Sequence, residues 1–243
     1  AHIVAMKVCN SQGNCKDSDV LSAIEWCTTN STKYNISVIS MSLGGGQYTS
    51  YCDSEVNSQY ATLINNAVGK NISVVVSTGN TNGNNQANGI AAPSCIKNAT
   101  RVSATDKSDN MASYAFRHEN FPDILLAPGS SITSSKLDGT FGNAGSGTSY
   151  SAPHVAGAIA LIQQYYNAIK NLSLTPAQLI QAFNVTGKRI SDSDTGVDFS
   201  RIDVNATFNT VDATSPTLSL ISPTPDDNTV TTSNVSINLS SSE

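Results

Sequence analysis

The sequence predicts an α/β fold: a mostly parallel sheet with helices on both faces, three layers in all, followed by the start of a β-sandwich-like segment. Three observations carry this reading. Short apolar runs alternate with stretches of helical periodicity along the first half of the chain. The run 72–76 is β-branched and continuous, the pattern of a strand covered on both faces. From about Asn209 the pattern changes to short alternating runs broken by Pro and Asp.

Taken in order, the apolar run 3–8 predicts a buried strand. Asp17 or Ser18 suits the cap of a helix carrying Val20, Leu21, Ile24 and Cys27 on one face. Residues 38–41 predict a second strand, released by Gly44-Gly45-Gly46. Val56, Tyr60, Leu63, Ile64 and Ala67 recur at helical spacing and stop near Gly69. Runs 72–76, 101–104 and 124–127 supply further strands, and strand–helix alternation calls for parallel pairing with right-handed crossovers. Thr175-Pro176-Ala177-Gln178 places a cap, a first-turn proline and a capping-box glutamine in sequence. The helix that follows carries Leu179, Ile180 and Phe183 and ends by Gly187.

The densest stretch is Gly147-Thr148-Ser149-Tyr150-Ser151-Ala152-Pro153-His154-Val155-Ala156-Gly157. Pro153 suits a first helical turn, where its missing N–H costs nothing. Val155, Ala156, Ala158, Ile159, Leu161 and Ile162 leave few polar sides, as a buried helix requires. A serine at such a helix start sits among unsatisfied N–H groups at the positive end of the dipole. That suits a nucleophile whose attack creates an oxyanion. As a bare pattern, Ser149 or Thr148 equally caps a core helix.

Composition bounds the partners. The 243 residues hold one sizeable domain and a piece of another. Charged residues make up 13%, and the net charge of -5 argues against nucleic acid as a partner. No run approaches the roughly 18 apolar residues needed to span a membrane. The chain opens on Ala1-His2 and runs straight into a strand pattern, so the natural N-terminus is expected upstream. Cys9 and Cys15 flank a turn-rich loop, Cys52 and Cys95 lie in polar loops, and Cys27 sits on a helix face. Two bridges, Cys9–Cys15 and Cys52–Cys95, with Cys27 free are the preferred arrangement, which implies an oxidising compartment. Sequons recur through the chain and permit secretion.

The stretch around Ser149 resembles the active-site serine motif of the subtilisin-like serine proteases (subtilases), GTSMASPHVAG, with Tyr150 in place of Met and Ser151-Ala152 inverted. The resemblance makes Ser149 the nucleophile and His154 a packing residue. It extends to Ser42-Leu43-Gly44, matching the strand beside the substrate's non-primed side, and to Ser77-Thr78-Gly79-Asn80, where the family has Ala-Ala-Gly-Asn. Asn80 then falls at the oxyanion-hole position, as a neutral amide donor. Ala91 falls at the floor of the S1 pocket, where a methyl leaves room for a medium or large apolar P1 side chain. The bond Ala92–Pro93 is expected to be cis.

By this resemblance, residues 1–208 are a partial subtilase peptidase domain, 209–216 a linker and 217–243 a truncated β-rich, Ig-like domain. The family's Asp and His motifs do not occur before Ser149, and His2, His118 and His154 lack the catalytic context. Asp194-Thr195-Gly196 spells the aspartate motif but follows the serine, and is read as a coincidence. The expected activity is a serine endopeptidase acting on protein or peptide, secreted or at the cell surface. The chain alone, without base or orienting acid, is expected to be inactive. The alternative is a catalytically silent scaffold that presents binding modules. No cofactor or metal ligand is identifiable; the resemblance allows a structural calcium in the parent protein, with its ligands unknown.

Overall fold

The computed structural model describes residues 2–81, 88–136 and 138–211. The expected β-rich segment 217–243 lies outside the described residues. In chain order the elements are α1 (Asp17–Thr29), α2 (Ser31–Tyr34), β1 (Val38–Met41), β2 (Gly45–Tyr48), α3 (Ser58–Val68), β3 (Ser73–Ser77) and β4 (Ile90–Ala92). There follow β5 (Thr100–Thr105), β6 (Leu125–Pro128), β7 (Ile132–Ser135), β8 (Phe141–Gly145) and α4 (Thr148–Tyr165), which runs on into a π-helical turn at Tyr166–Lys170. The last elements are α5 (Pro176–Thr186), β9 (Lys188–Asp192), β10 (Val197–Arg201) and α6 (Val204–Val211). Because α6 continues to Val211, the first residues of the expected linker are helical.

The main sheet has the order β1-β3-β5-β6-β10-β9, parallel throughout except for the antiparallel β10–β9 pair. Alternation along the strands divides the core between its two faces. Val74 and Val76 of β3 pack with Val20, Ile24 and Ile64 of α1 and α3. Val75 points the other way, into a cluster with Val155, Ile159, Leu179 and Phe183 of α4 and α5. Every residue of β3 and β5 is buried, as the unbroken β-branched run predicts. The sheet and helix pattern is the expected three-layer α/β fold.

Local chemistry sets several boundaries. The capping box forms at Thr175, whose hydroxyl accepts from Gln178 N while the Gln178 side chain accepts from Thr175 N at 2.8 Å. Neither Asp17 nor Ser18 caps α1: the cap position is Lys16, and Asp17 accepts a hydrogen bond from the Tyr60 hydroxyl at 3.0 Å. Asp17 and Asp19 instead sit in the first turn, where the helix dipole favours acidic groups. Pro153 lies inside α4, past its first turn. Leu161 is 54% exposed, so α4 keeps one face open near its end.

The run 3–8 is not a strand. Ile3 is 92% exposed and Val4 44%, and the first bridge is the Cys9–Cys15 contact. A strand needs a ladder partner for its N–H and C=O groups. Here a cleft of about 1020 Å³ lies between Val4 and Met6 and the edge of β1, and only Val8 packs against the core.

Both expected bridges are present, Cys9–Cys15 with Cα atoms 4.0 Å apart and Cys52–Cys95 at 5.4 Å, the latter pair wholly buried rather than in open loops. Cys27 is a free, buried thiol, and burial raises its pKa. The Ala92–Pro93 bond is cis.

Candidate active site

Ser149 stands in the first turn of α4, where that helix meets the carboxyl ends of the central parallel strands. Two hydrogen bonds dock the helix start there: Gly147 N to Gly129 O and Ser151 Oγ to Ala127 O, both 2.9 Å. Gly129 permits the approach, since a Cβ at that position would lie 2.4 Å from Ser151 Oγ and 2.6 Å from Ala104 Cβ. Ligand sites in open parallel sheets gather at this end of the strands.

Asn80 is tied to the same helix start. Its side-chain Oδ1 accepts from Thr148 N at 2.8 Å. With the oxygen engaged, the amide NH₂ is the group left to donate into the space beside Ser149. The buried Thr148 hydroxyl reinforces the link by accepting from Gly79 N at 3.1 Å. Gly79 has φ 107°, and a Cβ there would meet Phe116 Cδ2 at 2.6 Å, so only glycine fits. Tyr150 N bonds Gly147 O, whereas Ser149 N has no partner among the described residues. Two donors, Ser149 N–H and Asn80 Nδ2, thus remain at the positive end of a long helix.

Pro153 has a consequence for Ser149. It has no N–H to give the carbonyl four residues back, which is that of Ser149. Ser42 Oγ donates to this carbonyl instead, at 2.7 Å. Ser42 is therefore brought onto the backbone of Ser149 itself, a role that the motif match to Ser42-Leu43-Gly44 did not suggest. The available signal was a proline four residues after the serine.

The other expected residues lie on two adjoining segments. β2, continuing from Leu43 and Gly44, pairs antiparallel with β4, which contains Ala91. Behind them Ala91 N donates to Thr78 O at 2.7 Å, joining Ala91 to the Ser77–Asn80 segment. The Tyr150 hydroxyl donates to Ala144 O at 2.5 Å and holds the end of β8 beside the serine.

The histidines stay apart from Ser149. His154 is exposed, with Nδ1 on Tyr150 O at 2.7 Å, so it is not the packing residue expected; its ring lies outside the helix, against its own backbone. His118 accepts from Asn120 N. Among the described residues no histidine hydrogen-bonds Ser149. Asp194 is committed to Arg117 Nη2 at 2.6 Å, beside the buried Arg117–Asp192 pair at 2.9 Å. Among the described residues no cluster of His, Cys, Asp or Glu is arranged to hold a metal.

A serine at the start of a long helix, at the carboxyl edge of a parallel sheet and beside a locked carboxamide, is an arrangement that fits the class of hydrolases with a serine nucleophile. Residues 1–201 match the Subtilase family, and the chain belongs to that family of serine peptidases. It is 32% identical to Subtilisin DY of Bacillus licheniformis over 191 residues, which cover 79% of this chain and 62% of that protein. It is 36% identical over 184 residues to the extracellular serine proteinase of Thermus sp. strain Rt41A, covering 74% of this chain and 39% of that one. The chain thus spans less than two thirds of the length of either relative. In fold it is similar to the patellamide maturation protease PatA, with a TM-score of 0.69 at 18% identity, covering 84% of this chain and 71% of that one.

Proposed function

We propose that the chain is the nucleophile-bearing part of a secreted or cell-surface serine endopeptidase. The observation that supports it most is the Asn80–Thr148 hydrogen bond, which ties the Asn80 carboxamide to the residue before Ser149 through its oxygen and leaves its NH₂ as the donor. Ser149 Oγ attacks the scissile carbonyl carbon and its proton passes to a base. The carbonyl oxygen takes up the electron pair and is held by Asn80 Nδ2 and Ser149 N–H. Collapse of that intermediate expels the amine and leaves an acyl-serine, which water then hydrolyses. The base and its orienting acid come from the remainder of the catalytic domain, because no histidine here reaches Ser149.

In the complete enzyme, Ser149→Ala abolishes hydrolysis and fluorophosphonate labelling. Asn80→Ala lowers kcat by about 10²–10³ with little change in KM, the range found for the oxyanion-hole asparagine of a subtilisin. Undiminished turnover in Asn80→Ala removes that residue from the mechanism. The present chain by itself turns over neither casein nor an activated ester, and Ser149-dependent turnover by it would reveal a base within these residues. A complete protein unreactive to fluorophosphonate would favour the silent-scaffold reading.

The match of Ala91 to the family's S1 floor supports selection of a medium or large apolar P1 side chain, since its methyl, in β4 beside Thr78, is a small group. Cleavage of a P1 peptide library by the complete enzyme checks this, and a preference for Lys or Asp overturns it.

A further inference from the structure

Residues 114–117 lie against the Gly79–Thr81 segment and are fastened to it by their main chain. Thr81 N donates to Tyr114 O and Phe116 N donates to Gly79 O, both at 2.9 Å, and between them Asn80 and Ala115 form an antiparallel bridge. Asn80 is thus stapled on either side by one short stretch of chain. A second bridge joins Arg117 to Gly89, the residue before β4 with its Ala91. Side-chain packing does little to hold this stretch. The cluster that Ala115 enters contains Ala104 and Ala112, with Tyr114 half-buried against it, and methyl groups bury little apolar area.

What holds the stretch is a buried charge. All three nitrogens of the Arg117 guanidinium have acceptors. Nη1 donates back to Ala115 O at 2.9 Å, Nε and Nη2 donate to the two oxygens of Asp192 at 2.9 Å, and Nη2 donates also to Asp194 Oδ2 at 2.6 Å. Both carboxylates come from the β9–β10 hairpin at the outer edge of the sheet. Thr195 Oγ1 donates to Asp192 Oδ2 at 2.7 Å and steadies it. The Asp194-Thr195-Gly196 stretch, which spells the aspartate motif out of place, has this structural use here. A buried guanidinium is costly unless paired in a fixed geometry, and the bidentate fork supplies both. The carbonyl to which it turns back belongs to the residue opposite Asn80; a salt bridge that only closed the core would not need that contact. Two neutral bonds assist, Ser103 Oγ to Phe116 O and the Tyr114 hydroxyl with Ser130 Oγ, both at 3.0 Å, but neither reaches Ala115.

We propose that Arg117 is a positioning residue for the Asn80 donor, clamped by Asp192 and Asp194 so that the edge hairpin of the sheet sets the aim of the carboxamide. The link runs from the two carboxylates through the guanidinium to Ala115 O, and from the 114–116 main chain to Gly79 and Thr81. Because Thr148 N fixes the carboxamide oxygen, a shift of the residue-80 main chain turns the NH₂ about that bond. The part Asn80 plays in the reaction rests on the functional reading above; the clamp does not.

Two measurements test this separately. In the full chain, Arg117→Met/Asp192→Asn removes the clamp without leaving an unpaired buried carboxylate. The amides of Thr81 and Phe116 are then expected to exchange with solvent about tenfold faster relative to those of α3, the scale of a lost charge-assisted hydrogen bond. Asp194→Asn, at a side chain 56% exposed, leaves the Arg117–Asp192 fork in place and is expected to give a smaller change in the same direction. In the complete enzyme the double substitution should lower kcat about tenfold with KM within about twofold, a part of the about 10²–10³ that removing an oxyanion donor costs. In an Asn80→Ala background it should cost less than about twofold further, because the donor it aims is gone. Exchange that quickens equally in α3, or does not change, overturns the proposal. Should the double substitution leave the chain unfolded, Asp194→Asn decides by the same criterion. An equal kcat loss with and without Asn80 also overturns it, as does a rise in KM at unchanged kcat. Undiminished turnover in Asn80→Ala removes Asn80 from the mechanism and leaves the clamp to be judged by the exchange result alone.

Discussion

The two sides of β1 differ in what they offer the chain. On one side β1 pairs with β3 in register from Val38↔Ser73 to Met41↔Val76, and the next strands continue the ladder to β10. There, a ladder partner is in register along the whole strand, so β-branched sequence becomes sheet. On the other side the apolar run 3–8 has similar composition but faces β1 across a cleft. Residues 3–7 stay exposed, and only Val8 packs against the core. Apolar composition selects a strand only where a ladder is within reach. The same contrast holds for charge: Arg117 and Asp192 are 3% and 5% exposed, whereas the Lys188–Asp109 pair lies at the surface.

The largest effect expected from breaking this contrast is at Arg117. Arg117→Ala leaves Asp192 buried without its cation and should destabilise by about 3–5 kcal/mol, against no more than about 1 kcal/mol for Lys188→Ala. Urea unfolding of both variants measures this, and equal losses would show that the buried pair is not an anchor. The pair also sets an acid limit. Burial pushes the Asp192 carboxyl up, but hydrogen bonds from Arg117 and Thr195 and the Arg117 charge outweigh it, leaving its pKa lowered. A lowered carboxylate contributes stability above the ordinary carboxylate range and loses it as pH falls through the folded-state value. Asp192→Asn should therefore flatten the acid limb of the stability profile, and an unchanged limb would assign acid sensitivity elsewhere.

A smaller effect sharpens the comparison of apolar positions. Leu126, fully buried in β6, should cost about 2–5 kcal/mol on mutation to Ala. Val4→Ser, on the far side of the cleft, should change stability by no more than about 0.5 kcal/mol. A loss at Val4 comparable to that at Leu126 would mean that run 3–8 is part of the cooperative core in solution.

Whatever depends on neighbours along the chain was legible without a structure. The capping box at Thr175, the stop near Gly69 and the strands 38–41 and 72–76 follow from turn chemistry and side-chain period. The stretch around Ser149 was legible as a motif, and Asn80 through its match to the family. The cap of α1 was not, because Asp17 is drawn to the Tyr60 hydroxyl 43 residues away. Nor was the place of Pro153, whose missing N–H is offset by Ser42, 107 residues before Ser149.

The sequence by itself determined the class of fold, the main helices and the strands from residue 38 that build the central parallel sheet, and the motif at the head of α4. Only the tertiary structure decided that run 3–8 has no ladder partner among the described residues, that Arg117 joins Asp192 across 75 residues and that Arg101 donates to three main-chain carbonyls. The physical reason is the range of the forces. Propensity, capping and periodicity act over a few residues and are written in local order. Ladder pairing and the solvation of buried charge depend on which distant groups arrive, and those are fixed only when the chain is packed.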